Sequence, residues 1–250
     1  MKNSFKFWDI DSFEVSTFKY SINERFGKTY NKSGSENSGK CTYTYNEFGF
    51  RGDEIDKDGF KVMSIGCSIT EGVAVNDDET WPHLISKKFK DGVNINLGFG
   101  GRSNDYISRA LLTYYDFFQP NLVLIMYTDP YRCEYYTEDG GIEPWHPKPW
   151  GWFEKNFEES NALTLLTNKN QAEYNWYKNH LLITNYLKNK KTPFIWNGWF
   201  TKIDYTDENR FDGDYFPFVD FGVDGYHPGY KTNKKYTDTL FEHLKNKCLI

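Results

Sequence analysis

The segment Leu122-Val123-Leu124-Ile125-Met126-Tyr127 is apolar at every position. A strand with one face toward water alternates apolar and polar residues. An unbroken apolar run this short therefore reads as a strand covered on both faces, as in a parallel sheet between two helical layers. Three more β-type segments accompany it: Lys61-Val62-Met63-Ser64-Ile65 ending at Gly66, Val93-Asn94-Ile95-Asn96-Leu97 ending at Gly98, and Phe194-Ile195-Trp196-Asn197. Stretches of helical spacing separate them. Thr80 to Phe89 groups Trp81, Leu84, Ile85 and Phe89 on one face, and Asn104 to Phe118 repeats Ile107, Leu111, Leu112, Tyr115 and Phe118, with Pro120 just beyond the end. Tyr174 to Leu187 carries Tyr177, Leu181 and Leu182, and Lys234 to Lys247 carries Tyr236, Leu240, Phe241 and Leu244. Strand alternating with helix predicts a three-layer α/β/α sandwich with a central, mainly parallel sheet and its site at the carboxyl ends of the strands.

A chain of 250 residues can bury a full core, and residues 1–250 are read as a single domain. Two regions depart from the regular unit. Residues 1–58 form an N-terminal extension whose Gly/Ser/Asn-rich stretch, 31–40, is expected to be a mobile loop. Residues 129–173 are too long for a simple crossover and carry Trp145, Trp150 and Trp152 among Pro144, Pro147 and Pro149, which predicts a cap or substrate-binding insertion. No internal repeat is evident.

Charge and composition narrow the function classes. A net charge of −5 without a lysine/arginine block argues against nucleic acid as a partner. No apolar run has the length of a membrane span, and no signal-like core follows Met1-Lys2-Asn3-Ser4, so a cytoplasmic or otherwise soluble protein without a membrane partner is expected. Cys41, Cys67, Cys133 and Cys248 have neither metal-ligand spacing nor the density of a disulfide scaffold, so no metal and no cofactor are expected.

The chemistry-bearing residues sit where strands end. Ser68, in Gly66-Cys67-Ser68-Ile69-Thr70, directly follows the first buried strand. A hydroxyl is a weak nucleophile without an adjacent base, and that base needs a third group to hold its tautomer. Taken alone, the segment reads equally well as a helix cap. Cys67 is a rival nucleophile, but the residue continuing the strand pattern is expected to be buried. Near the other end, Asp224-Gly225-Tyr226-His227-Pro228-Gly229 forms a turn in which Asp224 can engage His227 Nδ1 and leave Nε2 for a hydroxyl elsewhere. His83, His146, His180 and His243 read as helix-surface or loop residues. The glycine loop Asn96 to Asn104 closes the second strand, with Gly101 N–H beside Ser68 N–H as donors for an oxyanion. It lacks the Gly-Lys-Ser/Thr ending of a phosphate loop.

These three blocks together resemble the SGNH, or GDSL-like, hydrolase family, with Cys67 where the family commonly has aspartate. The resemblance runs from about Asn46 to the end of the chain and includes the lead-in Asn46 to Gly52. It implies a flavodoxin-like α/β/α fold, a catalytic set of Ser68, Asp224 and His227, and Gly101 as the oxyanion glycine. The family's third block departs here: where it has Gly-x-Asn-Asp, this chain has Tyr127-Thr128-Asp129-Pro130. Thr128 then stands as the third oxyanion donor, with Asn104 and Arg132 as supporting residues.

The expected activity is hydrolysis of a carboxylic ester by an acyl-enzyme route. An acylated small molecule or carbohydrate is the expected partner, because Tyr135, Tyr136 and the tryptophans of 145–152 can stack on sugar rings, although they serve equally as cap core. A noncatalytic carbohydrate-binding or assembly module and a sugar O-acyltransferase remain as alternatives, and the oligomeric state is left open.

Overall fold

The computed structural model describes residues 29–33, 40–46, 48–54, 58–136, 142–145, 167–199, 205–211 and 218–249. The first described elements are an antiparallel pair, β1 (Thr29–Ser33) and β2 (Lys40–Thr44). The chain then enters a parallel sheet built from β3 (Phe60–Ile65), β4 (Gly92–Asn96) and β5 (Leu122–Tyr127). A second antiparallel pair follows, β6 (Cys133–Tyr136) with β7 (Ile142–Trp145), and β8 (Phe194–Gly198) completes the parallel sheet. Among the described residues, five α-helices lie between or after the strands: α1 (Ser68–Glu71), α2 (Trp81–Ser86), α3 (Asn104–Phe118), α4 (Lys169–Lys190) and α5 (Tyr230–Asn246).

Alternation along the buried strands divides the core in two. Met63, Ile65, Ile95, Val123, Ile125 and Trp196 face one way and pack with side chains of α3 and α4. Val62, Leu122, Leu124, Met126 and Ile195 face the other way and meet Trp81 and Ile85 of α2 and Tyr236, Leu240 and Leu244 of α5. Every residue of β5 is buried, as its unbroken apolar character requires. Each large aliphatic side chain so covered contributes about 1.5–3 kcal/mol relative to exposure.

The sheet order is β4-β3-β5-β8, with every pairing parallel. The chain steps outward from β3 to β4 and then returns to the other side of β3, so the direction of winding reverses between β3 and β5. Open α/β sheets bind ligands outside the carboxyl ends of the strands at such a reversal. Ile65 pairs with Ile125. Ser68 opens the helix that follows β3 and Thr128 directly follows β5, so both leave the sheet at the carboxyl ends of these neighbouring strands.

Some expectations are corrected. Residues 31–33 and Lys40, assigned to a loop, are strand residues: Asn31 and Lys32 pair with Thr42 and Cys41 of a β-prone segment whose Cys41 and Tyr43 are buried, and Ser33 pairs with Lys40. Residues 34–39 lie outside the described residues. Within 129–173, β6 and β7 form a hairpin and α4 already begins at Lys169, so 169–173 belong to a helix that Asn168 caps through its side chain. Trp145 is buried, whereas Trp150, Trp152, Pro147 and Pro149 fall outside the described residues.

The face of α4 is also corrected. Tyr177, Leu181 and Leu182 are 41%, 37% and 41% exposed, while Trp176, Asn179, His180, Ile183, Thr184 and Leu187 turn inward. Polar groups are stable inside when they are hydrogen-bonded. Asn179 bonds Ser108 and Asp105, Thr184 bonds the His180 carbonyl, and His180 meets Tyr127 and Asp207.

Candidate active site

Ser68 is the first residue of α1, which follows β3 after Gly66 and Cys67, and it is 8% exposed. As the first helical residue, its N–H has no acceptor inside the helix. Gly66 makes the exit from the strand possible: a Cβ there would lie 2.1 Å from Thr70 Oγ1 and 2.9 Å from the Met126 carbonyl. Cys67 is fully buried beneath the turn.

The glycine loop after β4 lies against this helix. Asn96 Nδ2 donates to the Thr70 carbonyl at 2.9 Å, and Asn96 Oδ1 accepts the Gly98 N–H at 2.9 Å. A Cβ at Gly98 would lie 2.2 Å from Glu71 N, and one at Gly100 only 3.8 Å from Ser68 Cβ. Gly101 adopts φ +76°, a left-handed conformation natural to glycine. The Gly100 N–H donates to Glu71 Oε2 at 2.7 Å.

Thr128 leaves β5 fully buried. Asn104, the first residue of α3, holds its backbone from both sides: Asn104 Nδ2 donates to the Thr128 carbonyl at 3.1 Å and Asn104 Oδ1 accepts the Thr128 N–H at 3.0 Å. The Thr128 hydroxyl itself is buried and makes no hydrogen bond. Arg132 is half-buried, and its N–H donates to the Asp129 carbonyl at 3.1 Å.

The turn before α5 carries Asp224 and His227. Asp224 Oδ1 accepts the N–H groups of Tyr226 and His227, both at 3.0 Å, and Oδ2 meets His227 Nδ1 at 2.6 Å. A carboxylate only accepts, so Nδ1 carries the proton and Nε2 is left as the basic nitrogen. Burial works against ionisation of Asp224, but the His227 and Tyr226 backbone donors and the imidazole outweigh it and hold its pKa below the usual carboxylate value. Both side chains keep about a quarter of their surface, 26% for Asp224 and 27% for His227.

This turn is anchored to the segment that follows the serine helix. Val223 N donates to the Ala74 carbonyl at 2.9 Å, and a Cβ at Gly222 would strike that same carbonyl at 2.4 Å. Asn233 of α5 ties the turn to α2, accepting the Trp81 N–H and donating to the carbonyls of Pro228 and Gly229. Asp220 caps the start of α5 by accepting the Lys231 and Thr232 N–H groups. No hydrogen bond joins Ser68 Oγ to His227. Contacts of this kind commonly close only when substrate is bound.

Three residues important to this assembly carried no chemical signal in the sequence. Arg51, 2% exposed, donates to the carbonyls of Gly72, Val75 and Thr42, pairs with Asp77 and lies over the Tyr43 ring, fixing the segment between α1 and Ala74. Glu71 is buried with its carboxylate between Tyr45 and Gly100. His180, expected on a surface, is 1% exposed inside α4. Its Nδ1 lies 3.2 Å from the Tyr127 hydroxyl and its Nε2 3.2 Å from Asp207, a second histidine–aspartate pair, this one with its imidazole packed between aromatic rings. His83 and His243 are half-buried helix residues, and His146 lies outside the described residues.

A cavity of about 380 Å³ opens at Pro130, two residues beyond Thr128, with Asp105, Glu134, Gln171, Asn175 and Lys178 among its lining. Among the described residues, no three His, Cys, Asp or Glu side chains are grouped to hold a metal ion, and no helix is long and apolar enough to cross a membrane.

No family model matches the chain, and no curated protein matches it by sequence. Solved structures do resemble it. A protein assigned to the G-D-S-L lipolytic family from Desulfitobacterium hafniense DCB-2 is 14% identical, covering 77% of this chain and 100% of its own, with a TM-score of 0.34. The psychrotrophic esterase EstA from Pseudoalteromonas sp., in a structure inhibited by monoethylphosphonate, is 14% identical over 75% of this chain and 98% of its own, with a TM-score of 0.36. A G-D-S-L lipolytic family member from Veillonella parvula DSM 2008 is 12% identical over 75% and 99%, with a TM-score of 0.34. Likeness at these identities and scores carries no activity to this chain. The fold itself rests on the sheet order and the two helical layers.

Proposed function

We propose that the protein is a serine esterase that removes a short acyl group, such as O-acetyl, from a carbohydrate or similar polyhydroxylated alcohol. The observation that carries this reading is the Asp224–His227 pair, locked with Nδ1 protonated on a turn anchored to the segment behind Ser68. In the proposed reaction His227 Nε2 takes the Ser68 proton as Oγ bonds to the ester carbonyl carbon. The carbonyl electron pair moves onto oxygen, which Ser68 N–H, Gly101 N–H and the Thr128 hydroxyl receive. Collapse breaks the bond to the alcohol oxygen, which leaves with the proton held on His227. Water then repeats the sequence and frees Ser68. The cavity at Pro130 offers Asp105, Glu134, Gln171, Asn175 and Lys178 as hydrogen-bonding partners for a hydroxyl-rich alcohol portion.

The missing Ser68–His227 hydrogen bond favours one competing reading, a carbohydrate-binding module on a hydrolase-like fold. Release of p-nitrophenol from short-chain p-nitrophenyl esters, followed by acetate release from acetylated oligosaccharides, separates the two. Turnover that disappears in both Ser68→Ala and His227→Ala supports the esterase. Oligosaccharide binding without any turnover of either substrate supports the module.

A further inference from the structure

We infer that Glu71 is a positioning residue whose buried carboxylate holds the glycine loop against Ser68, fixing the backbone that presents Gly101 N–H. The inference rests on the esterase reading above. Glu71 closes α1, three residues after Ser68, and is 3% exposed. A buried carboxylate is retained only where its oxygens are satisfied by donors. Here Oε1 accepts the Tyr45 hydroxyl at 3.0 Å and Oε2 accepts the Gly100 N–H at 2.7 Å, the short length of a charge-assisted bond.

The arrangement has a direction. The same short helix offers Ser68 at its start and Glu71 at its end, and the loop crosses it with Gly98 against Glu71 N and Gly100 beside Ser68 Cβ. Asn96 secures the loop where it leaves β4, at the Thr70 carbonyl. Leu97 N–H and Phe99 N–H then donate to the Ser64 and Gly66 carbonyls at 2.8 and 3.2 Å, and Glu71 is the following fastening, one residue before Gly101. Without it the loop stays attached as far as Phe99 but can swing from Gly100 onward, and the Gly101 N–H moves relative to the serine oxygen. Ground-state substrate binding is little affected by such a swing, whereas an oxyanion that exists only in the transition state loses a donor.

Substitutions separate grip on the loop from bulk stability. Glu71→Ala is expected to lower kcat for p-nitrophenyl acetate about 10²-fold, the usual effect of losing one oxyanion donor, with KM nearly unchanged. Glu71→Gln can turn its carbonyl to Gly100 N–H and its amide to the Tyr45 oxygen, which then accepts. It should recover kcat to within about tenfold of wild type. Tyr45→Phe leaves the Gly100 bond in place and should keep kcat within about threefold. Amide hydrogen exchange at Gly100, read in the same proteins without substrate, should speed up in Glu71→Ala and return toward wild type in Glu71→Gln.

Equal loss of kcat in Tyr45→Phe and Glu71→Ala would assign the effect to general destabilisation and overturn the inference. Unchanged Gly100 exchange in Glu71→Ala would overturn it regardless of activity. If Glu71→Ala does not fold, Glu71→Gln and Tyr45→Phe decide: recovered kcat and exchange support the grip, and kcat lost in both refutes it. A wild-type protein that turns over no ester would instead refute the esterase reading and the oxyanion role with it, leaving exchange to test the grip alone.

Discussion

Asp224 and His227 close on each other twice, once through the His227 backbone N–H to Oδ1 at 3.0 Å and once through imidazole Nδ1 to Oδ2 at 2.6 Å. The first bond fixes where the residue sits and the second fixes its tautomer. Asp224→Asn keeps the backbone bond but can offer an N–H to Nδ1, which moves the imidazole proton to Nε2 and removes the base. We expect kcat to fall about 10³–10⁴-fold with little change in KM, measured on p-nitrophenyl acetate. An Asp224→Asn protein with wild-type kcat would show that the tautomer is not used.

The same pair makes stability depend on acid. Asp224 ionises more readily in the folded state than in the unfolded chain, so the unfolded state takes up the proton first. Its contribution is complete above the ordinary carboxylate pKa of about 3.9 and is lost as pH falls through the lower folded value. The difference in Tm between wild type and Asp224→Asn should therefore be largest near neutrality and shrink below about pH 4. A difference independent of pH would contradict the assigned ionisation.

His180 gives a second, separable pH dependence. Burial lowers its pKa in spite of the opposing Asp207, so the folded protein resists protonating it. The unfolded chain binds that proton first as pH drops below about 6.5, and stability declines from there until the folded value is reached. His180→Gln should flatten this decline in urea-unfolding midpoints between pH 7.5 and 5.5. It should also cost about 1–3 kcal/mol at neutral pH by leaving Tyr127 or Asp207 without its partner.

Much of this framework is readable from sequence because its signals are local. Helix α3 runs over the span that its spacing predicts. Ser103 Oγ accepts the Asp105 and Tyr106 N–H groups at one end, and Gln119 turns left-handed ahead of Pro120 at the other. The Asp224–His227 turn is legible for the same reason, since its partners are three residues apart. Helix α4 is misread because periodicity counts apolar residues, whereas its buried face includes Asn179, His180 and Thr184 with distant partners. Glu71 and Arg51 are silent for a related reason. The Glu71–Gly100 bond spans 29 positions and those of Arg51 to Gly72 and Val75 span 21 and 24, distances at which sequence carries no directional information.

The Thr128 hydroxyl is buried and makes no hydrogen bond, while Asn104 holds the backbone beneath it. If that hydroxyl serves the oxyanion, Thr128→Val should lower kcat by about 10- to 100-fold. Stability should stay level or rise by as much as about 1 kcal/mol, because an unsatisfied buried polar group is removed without changing side-chain shape. Unchanged kcat would remove Thr128 from the mechanism and leave the two backbone donors.

In the proposed mechanism Ser68 is a nucleophile activated by His227. Intact-protein and peptide mass spectrometry after treatment with an active-serine fluorophosphonate tests it most directly. One phosphonyl adduct is expected, located at Ser68, absent from Ser68→Ala and formed much more slowly in His227→Ala. Full labelling of Ser68→Ala, or labelling of Ser68 at an undiminished rate without His227, would contradict it.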